Sequence, residues 1–258
     1  MNIIVVYPGR FHPFHLGHKA SYDYLTNKFG DTAVYIATSN VQDPETSPFD
    51  YTDKVTMMTK LGIPASHVVQ TKNPYRADEI IGNLSDEERA TTALVFAVSE
   101  KDNARFSFKP KKDGSPSYLQ PLPDNLKKLK PMTDVGYVFV TPTVNFRVRG
   151  ADANSATAIR KMYVAGSPAD RAEIITDLYG DPDPELQAIF DKKLGANPEE
   201  KTITYGKEII DGGTVDGGMR ESRRIKLKQL EEKIHAIKQR LKEAQNINPD
   251  YIDEKISR

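Results

Sequence analysis

The sequence predicts an α/β fold, a parallel sheet with helices on both faces, followed by a helical extension at the C-terminus. Three observations carry this expectation. Short β-branched runs alternate with helical stretches over the first two thirds of the 258 residues, two of the three helix candidates there finish on glycine, and an apolar-striped charged stretch appears only after two glycine pairs. Strand, helix, strand repeats of this length imply parallel strands joined by right-handed crossovers.

Residues 3–7, 33–37, 67–70, 94–98 and 136–140 read as strands. The crossover helices fall at 17–29, closing on Gly30, at 51–61, closing on Gly62, and at 77–84, which stops before an acidic stretch. From 155 to 195 the pattern turns helical, with Pro168, Pro182 and Pro184 marking helix starts, and short helices are expected against the sheet edge. The α/β domain is placed at 1–180, with its helical subregion reaching about 195. Gly212-Gly213 and Gly217-Gly218 punctuate a linker at 196–218. An amphipathic helix is expected at 219–258, where Leu227, Leu230, Ile234, Ile237 and Leu241 recur three and four apart. About two heptads do not hold an isolated coiled coil together, so the stripe needs the domain, a second copy or another protein to lie against. The basic cluster Arg220, Arg223, Arg224, Lys226 and Lys228 reads as a solvated helix face.

Lysine plus arginine and aspartate plus glutamate stand at 36 each, so no global field draws this protein to nucleic acid or an anionic membrane. The chain has no cysteine, which excludes disulfides, thiolate metal sites and a cysteine nucleophile. With no apolar run approaching a membrane span, a cytoplasmic location is expected, without a membrane partner.

In sheets of this kind ligands bind at the carboxyl ends of the strands. There the first strand runs into Gly9-Arg10-Phe11-His12-Pro13-Phe14-His15-Leu16-Gly17-His18, which holds three of the five histidines. A lone histidine at a strand end is ordinarily a satisfied polar side chain; three of them among glycines at a βα turn suggest an anion site. Gly17 allows close backbone approach, the helix start offers N–H groups, and His15 and His18 can donate to the same oxyanions. Donors placed this way stabilise charge that builds when a triphosphate is attacked at its α-phosphorus.

At these residues the chain resembles the HxGH nucleotidyltransferase superfamily of Rossmann-like enzymes, which includes nicotinamide mononucleotide adenylyltransferases, pantetheine phosphate adenylyltransferases and small cytidylyltransferases. His15-Leu16-Gly17-His18 is the signature, and Gly9-Arg10-Phe11-x-Pro13-Phe14-His15 looks most like the archaeal and bifunctional bacterial nicotinamide mononucleotide enzymes, which usually carry glutamine at the place of His12. Asn154-Ser155-Ala156-Thr157-Ala158-Ile159-Arg160 is similar to the second signature, Ser-x-Thr-x-x-Arg, at a helix N-terminus. Pro48-Phe49-Asp50-Tyr51-Thr52-Asp53-Lys54 matches a third segment loosely, with Asp53-Lys54 replacing an acidic-arginine pair. With its helical extension the chain also looks like nucleotidyltransferase-like proteins of large tailed phages. The lysine-rich second signature of class I aminoacyl-tRNA synthetases is missing, so tRNA is not an expected partner.

The resemblance implies His15, His18 and Arg160 as catalytic residues, and Gly9, Arg10, Phe11, Gly17, Asp102, Ser155 and Thr157 as nucleotide-binding residues. It implies transfer of AMP from ATP to nicotinamide mononucleotide with release of pyrophosphate. Cytidylyl transfer from CTP to a small phosphorylated alcohol and a non-catalytic assembly role remain as alternatives. Magnesium (Mg2+) would arrive with the triphosphate, because no protein ligand set for a metal is spelled out. The tract 106–123, with Lys109, Lys111 and Lys112, reads as a mobile loop over the site or a disordered insertion.

Overall fold

The computed structural model describes residues 1–152 and 155–195, so the expected linker and amphipathic helix lie outside the described residues. The chain begins with β1 (Asn2–Pro8), α1 (Leu16–Phe29), β2 (Val34–Thr38), α2 (Tyr51–Lys60) and β3 (Val68–Gln70). It continues through α3 (Asp78–Ile81), α4 (Asp86–Thr91), β4 (Thr92–Val98), α5 (Glu100–Asn103), β5 (Leu119–Pro121) and β6 (Gly136–Val140). A two-stranded hairpin, β7 (Arg147–Val148) and β8 (Ala151–Asp152), precedes α6 (Ala156–Ala165), α7 (Pro168–Tyr179) and α8 (Pro184–Leu194).

The six strands β3-β2-β1-β4-β6-β5 form one sheet in that order, with every pairing parallel. The winding direction reverses beside β1: β2 and β3 are laid down on one side of it, β4 and β6 on the other. A crevice therefore opens between the ends of β1 and β4. Alternation along the strands sorts the side chains into two cores. Val5, Tyr7, Val34, Ile36 and Val95 face α1, α2 and the three C-terminal helices, while Ile4, Val6, Leu94 and Phe96 face Ile80, Ile81, Leu84, Phe106 and Met132.

Four expectations need correction. The helix expected at 77–84 is only α3, and the acidic stretch after it is itself helical. Ser85 and Glu88 cap each other to start α4, and Arg89 reaches back to the Ile81 and Leu84 carbonyls. The tract 106–123 is not wholly loop, because Leu119–Pro121 adds β5 to the sheet edge and Phe106 packs 5.9 Å from Phe96. A three-residue edge strand ending in proline offers too little periodicity to be seen beforehand. Pro182 starts no helix; Asp183 caps α8 and Pro184 takes its first position. Finally, α6 to α8 cover a face of the sheet, where Phe190 lies 4.9 Å from Phe49, 5.1 Å from Tyr163 and 6.2 Å from Tyr179.

Ion pairs fasten the rim of this core: Lys193 bridges Asp50 and Asp53, and Lys60 bridges Asp183 and Glu185. No helix among the described residues is long and apolar enough to cross a membrane. Phe190→Ala would empty the centre of the aromatic cluster and is expected to lower stability by about 3–5 kcal/mol in chemical denaturation. A loss under about 1 kcal/mol would mean that the three C-terminal helices are not part of the cooperative core.

Candidate active site

The turn after β1 is shaped by aromatic packing. Phe11 adopts φ 50°, a conformation that bulky residues rarely hold, and its ring fills the space where a Cβ on Gly9 would lie, 2.4 to 2.7 Å from ring carbons. Phe11 packs edge-on against Tyr7, Phe14 and His18, with centroids 5.1 to 5.5 Å apart. Gly9 thus serves the turn by making room for Phe11.

His15 caps α1. Its Nδ1 accepts the Gly17 N–H at 3.1 Å, while its carbonyl accepts from His18 and Lys19. The Gly17, His18 and Lys19 amides are therefore occupied, which differs from the expectation that the helix start would present its N–H groups to an anion. Gly17 is needed for a different approach as well: a Cβ there would meet the His15 ring at 2.9 Å and Phe146 at 3.1 Å. Because Nδ1 accepts, the neutral His15 ring carries its proton on Nε2. That nitrogen is neither hydrogen-bonded nor enclosed, and His15 lines a cavity.

Two cavities among the described residues meet at this turn. The first, about 410 Å3, is walled on its charged side by Arg10, Lys101, Asp102, Arg105 and Arg160, with His12 and Tyr75 beside them. The second, about 420 Å3, is walled by His15, Gly17, Ser21, Thr141, Val144 and Phe146. Tyr7, His18, Ser99, Lys101, Ser155 and Ala156 line both. The expected residues Gly9, Arg10, Phe11, Asp102, Ser155, Thr157, Arg160 and His18 come together in the first cavity, His15 and Gly17 in the second.

Arg160 is only 7% exposed and is held by three acceptors: the His12 carbonyl at 2.7 Å, the Glu45 carbonyl at 2.8 Å and Thr157 Oγ1 at 3.2 Å. Ser155 caps α6 by accepting the Ala158 N–H, and the amides of Ala156 and Thr157 have no partner among the described residues. The helix start that offers backbone donors to an anion is thus that of α6. Burial first, and then the Arg10 charge, lower the pKa of Arg160; it stays protonated, and two cations held together favour an anion between them. Asp102 is engaged already. Burial raises its pKa, but hydrogen bonds from Arg105, Ser99 and Tyr75 more than reverse this and hold the carboxylate ionised.

All three imidazoles of the turn are held neutral. Burial lowers His18 to about 4, and burial, followed by the charges of Lys54, Arg160 and Arg10, lowers His12 to about 3. Burial and then His18 place His15 well below its usual range. Lys54, fully buried, donates to the Ser39 carbonyl at 2.7 Å, and burial lowers it to about 8. Asp53 pairs with Lys193 rather than with its neighbour Lys54. Among the described residues no cluster of three or more His, Cys, Asp or Glu could hold a metal ion.

Tyr7, Tyr75, Arg105 and Phe146 were missed from sequence. Tyr7 ends a strand whose alternation reads as core, and the other three lie in loops without a motif. Only the strand-end position of Tyr7 was a usable signal.

An HxGH turn at the switch point of a parallel sheet, facing a capped Ser-x-Thr-x-x-Arg helix, places the protein in the nucleotidyltransferase superfamily. Residues 6–140 match the cytidylyltransferase-like family model, just over half of the chain, and the chain belongs to that family. A nicotinamide-nucleotide adenylyltransferase of Sulfurisphaera tokodaii is 33% identical over 55 residues, 21% of this chain and 32% of that protein, so the chain matches about a third of its relative. A Francisella tularensis bifunctional NMN adenylyltransferase/ADP ribose pyrophosphatase, solved with AMP and a manganese ion, aligns at TM-score 0.40 and 13% identity, over 75% of this chain and 52% of that one. A nicotinate-nucleotide adenylyltransferase-like structure from Vibrio parahaemolyticus aligns at TM-score 0.33 and 13% identity, over 69% of this chain and 96% of that one.

Two outcomes follow from the buried cations and imidazoles. Arg160→Lys leaves backbone carbonyls short of donors and is expected to cost roughly 1–3 kcal/mol in denaturant titrations. A histidine with a folded pKa below its unfolded value of 6.5 binds fewer protons when folded, so the stability it contributes is complete above that pH and is lost as pH falls. At pH 5 the loss reaches at most about 2 kcal/mol for each of His12 and His18, or roughly 4–8 °C in the thermal midpoint per residue. The midpoint is expected to fall between pH 7 and 5, less so in His12→Gln; equal slopes in both proteins would contradict a neutral buried His12.

Proposed function

We propose that the protein transfers AMP from ATP to a phosphorylated acceptor, with nicotinamide mononucleotide as the first candidate, and releases pyrophosphate. The observation that carries this reading is the pair of cavities of nearly equal size joined at His18, since a reaction between two substrates needs two chambers and a shared wall. The second cavity, with Phe146 and Val144 in its lining, suits a planar base; the first, with Arg10, Arg105 and Arg160, suits a phosphate ester.

In this reading an acceptor phosphate oxygen attacks the α-phosphorus, and the bond from that phosphorus to the departing pyrophosphate breaks, with no covalent enzyme intermediate. Positioning supplies most of the rate. The neutral rings of His15 and His18 act as hydrogen-bond donors to the charge that builds on the transferring phosphate. Lys101 and the Ala156 amide, on the wall shared by both cavities, hold the triphosphate and receive the leaving group, Arg10 and Arg105 hold the acceptor phosphate, and Arg160 keeps α6 and the turn in register. Bound magnesium would neutralise phosphate charge, held by phosphate oxygens and water, which fits a site without a carboxylate cluster.

The test is pyrophosphate release by the purified chain with magnesium, using ATP or CTP against a panel of phosphorylated acceptors. Release is expected with ATP and nicotinamide mononucleotide, and a fall of about 10²-fold or more in His18→Ala with its circular dichroism retained. Dependence on CTP and a phosphorylated alcohol would redirect the assignment to cytidylyl transfer. Silence of the folded protein across the panel, or full activity in His18→Ala, would overturn it.

A further inference from the structure

His15 packs against two rings. The Phe146 ring lies parallel to it, centroids 4.4 Å apart and planes 15° apart, and His18 lies 4.0 Å away on a tilt of 43°. Phe146 sits between the segment that walls the second cavity and the β7–β8 hairpin, so its ring belongs to both the cavity and the histidine. The hairpin is locked in turn. Arg149 at its tip adopts φ 52°, its guanidinium reaches Asp170 at 2.7 Å and Glu173 at 3.2 Å, and its N–H donates to Asp177 at 2.7 Å. All three acids lie on α7. A left-handed residue held by three carboxylates on one helix fixes the hairpin where Val148 is fully buried.

We propose that Phe146 is a positioning residue for His15, placed by the Arg149 lock on α7, and that it keeps the His15 ring oriented and its covered face shielded from water, with Nε2–H open to the second cavity. The Gly17 N–H alone fixes one edge of the imidazole; a flat partner on its face removes the remaining rotation about the side chain and excludes water. The same ring lines the chamber assigned above to the base, so a nucleotide there would press on the face that orients its own hydrogen-bond donor. The other titratable and charged groups lining the cavity that His15 faces are His18 on α1, Tyr7 on β1, and Glu100 and Lys101 on α5.

The primary test is independent of turnover: histidine ring resonances of the full chain are followed by NMR from pH 8 to 5 in the wild type, Phe146→Tyr and Phe146→Ala, with His15 assigned from His15→Asn. In the wild type and Phe146→Tyr the His15 signals are expected to stay flat; in Phe146→Ala water reaches the ring and a midpoint near the ordinary value, about 6–7, appears. Where Phe146→Ala does not fold, Phe146→Leu, which fills the volume without a flat face, is expected to shift the midpoint the same way by less. Flat His15 signals in a folded Ala or Leu variant, or a wild-type midpoint near 6.5, would overturn the proposal.

The kinetic arm rests on the nucleotidyl-transfer reading. Phe146→Ala is expected to lower kcat roughly tenfold to a hundredfold, with KM for the acceptor unchanged and recovery in Phe146→Tyr. A wild type without turnover defeats that reading and leaves the titration as the judge of this one. Loss confined to thermal stability, with unchanged titration and kcat, would reduce Phe146 to packing.

Discussion

The guanidinium of Arg160 joins parts of the chain that sequence keeps far apart: the turn after β1 through the His12 carbonyl, the segment before α2 through the Glu45 carbonyl, and the first turn of α6 through Thr157. Backbone carbonyls that end a strand or bend a turn beside a cavity have no ladder partner, and each needs a donor. A planar fork with five N–H groups can serve several at once without giving up its charge. This bond set determines where the α6 amides face the HxGH turn, and therefore that two cavities meet there.

Around that anchor the site is built from neutral rings and fixed cations. Enclosure holds His12, His15 and His18 unprotonated, so the imidazoles contribute directed hydrogen bonds, while Arg10, Lys101, Arg105 and Arg160 contribute charge. The division is economical because the two demands conflict. A histidine dry enough to be well oriented is too dry to stay charged beside three cations. Packing by Phe11, Phe14 and Phe146 produces that dryness, which makes the aromatic residues of the turn part of the chemistry.

Most of the sheet was legible because alternation and β-branching persist in strands buried on both faces; the span of β6 was read to the residue and β1 to within one at each end. What failed was short or locally ambiguous. β5 has three residues at an edge, and α3 and α4 are separated by a single turn that hydrophobic pattern alone bridges. The HxGH and Ser-x-Thr-x-x-Arg residues were legible as motifs, yet their local work was not. His15 spends Nδ1 on Gly17, and Arg160 spends at least three N–H groups on the protein.

The sequence by itself determined the class of fold, the strand after which the site opens, and the residue types that converge there, because periodicity, glycine placement and motif spacing are properties of neighbours along the chain. Only the tertiary structure decided the protonation state of the histidines, the partners of Arg160, and the recruitment of Tyr7, Tyr75, Arg105 and Phe146. Those depend on burial and on contacts between residues as much as 148 positions apart, and neither quantity exists until the sheet has closed its crevice.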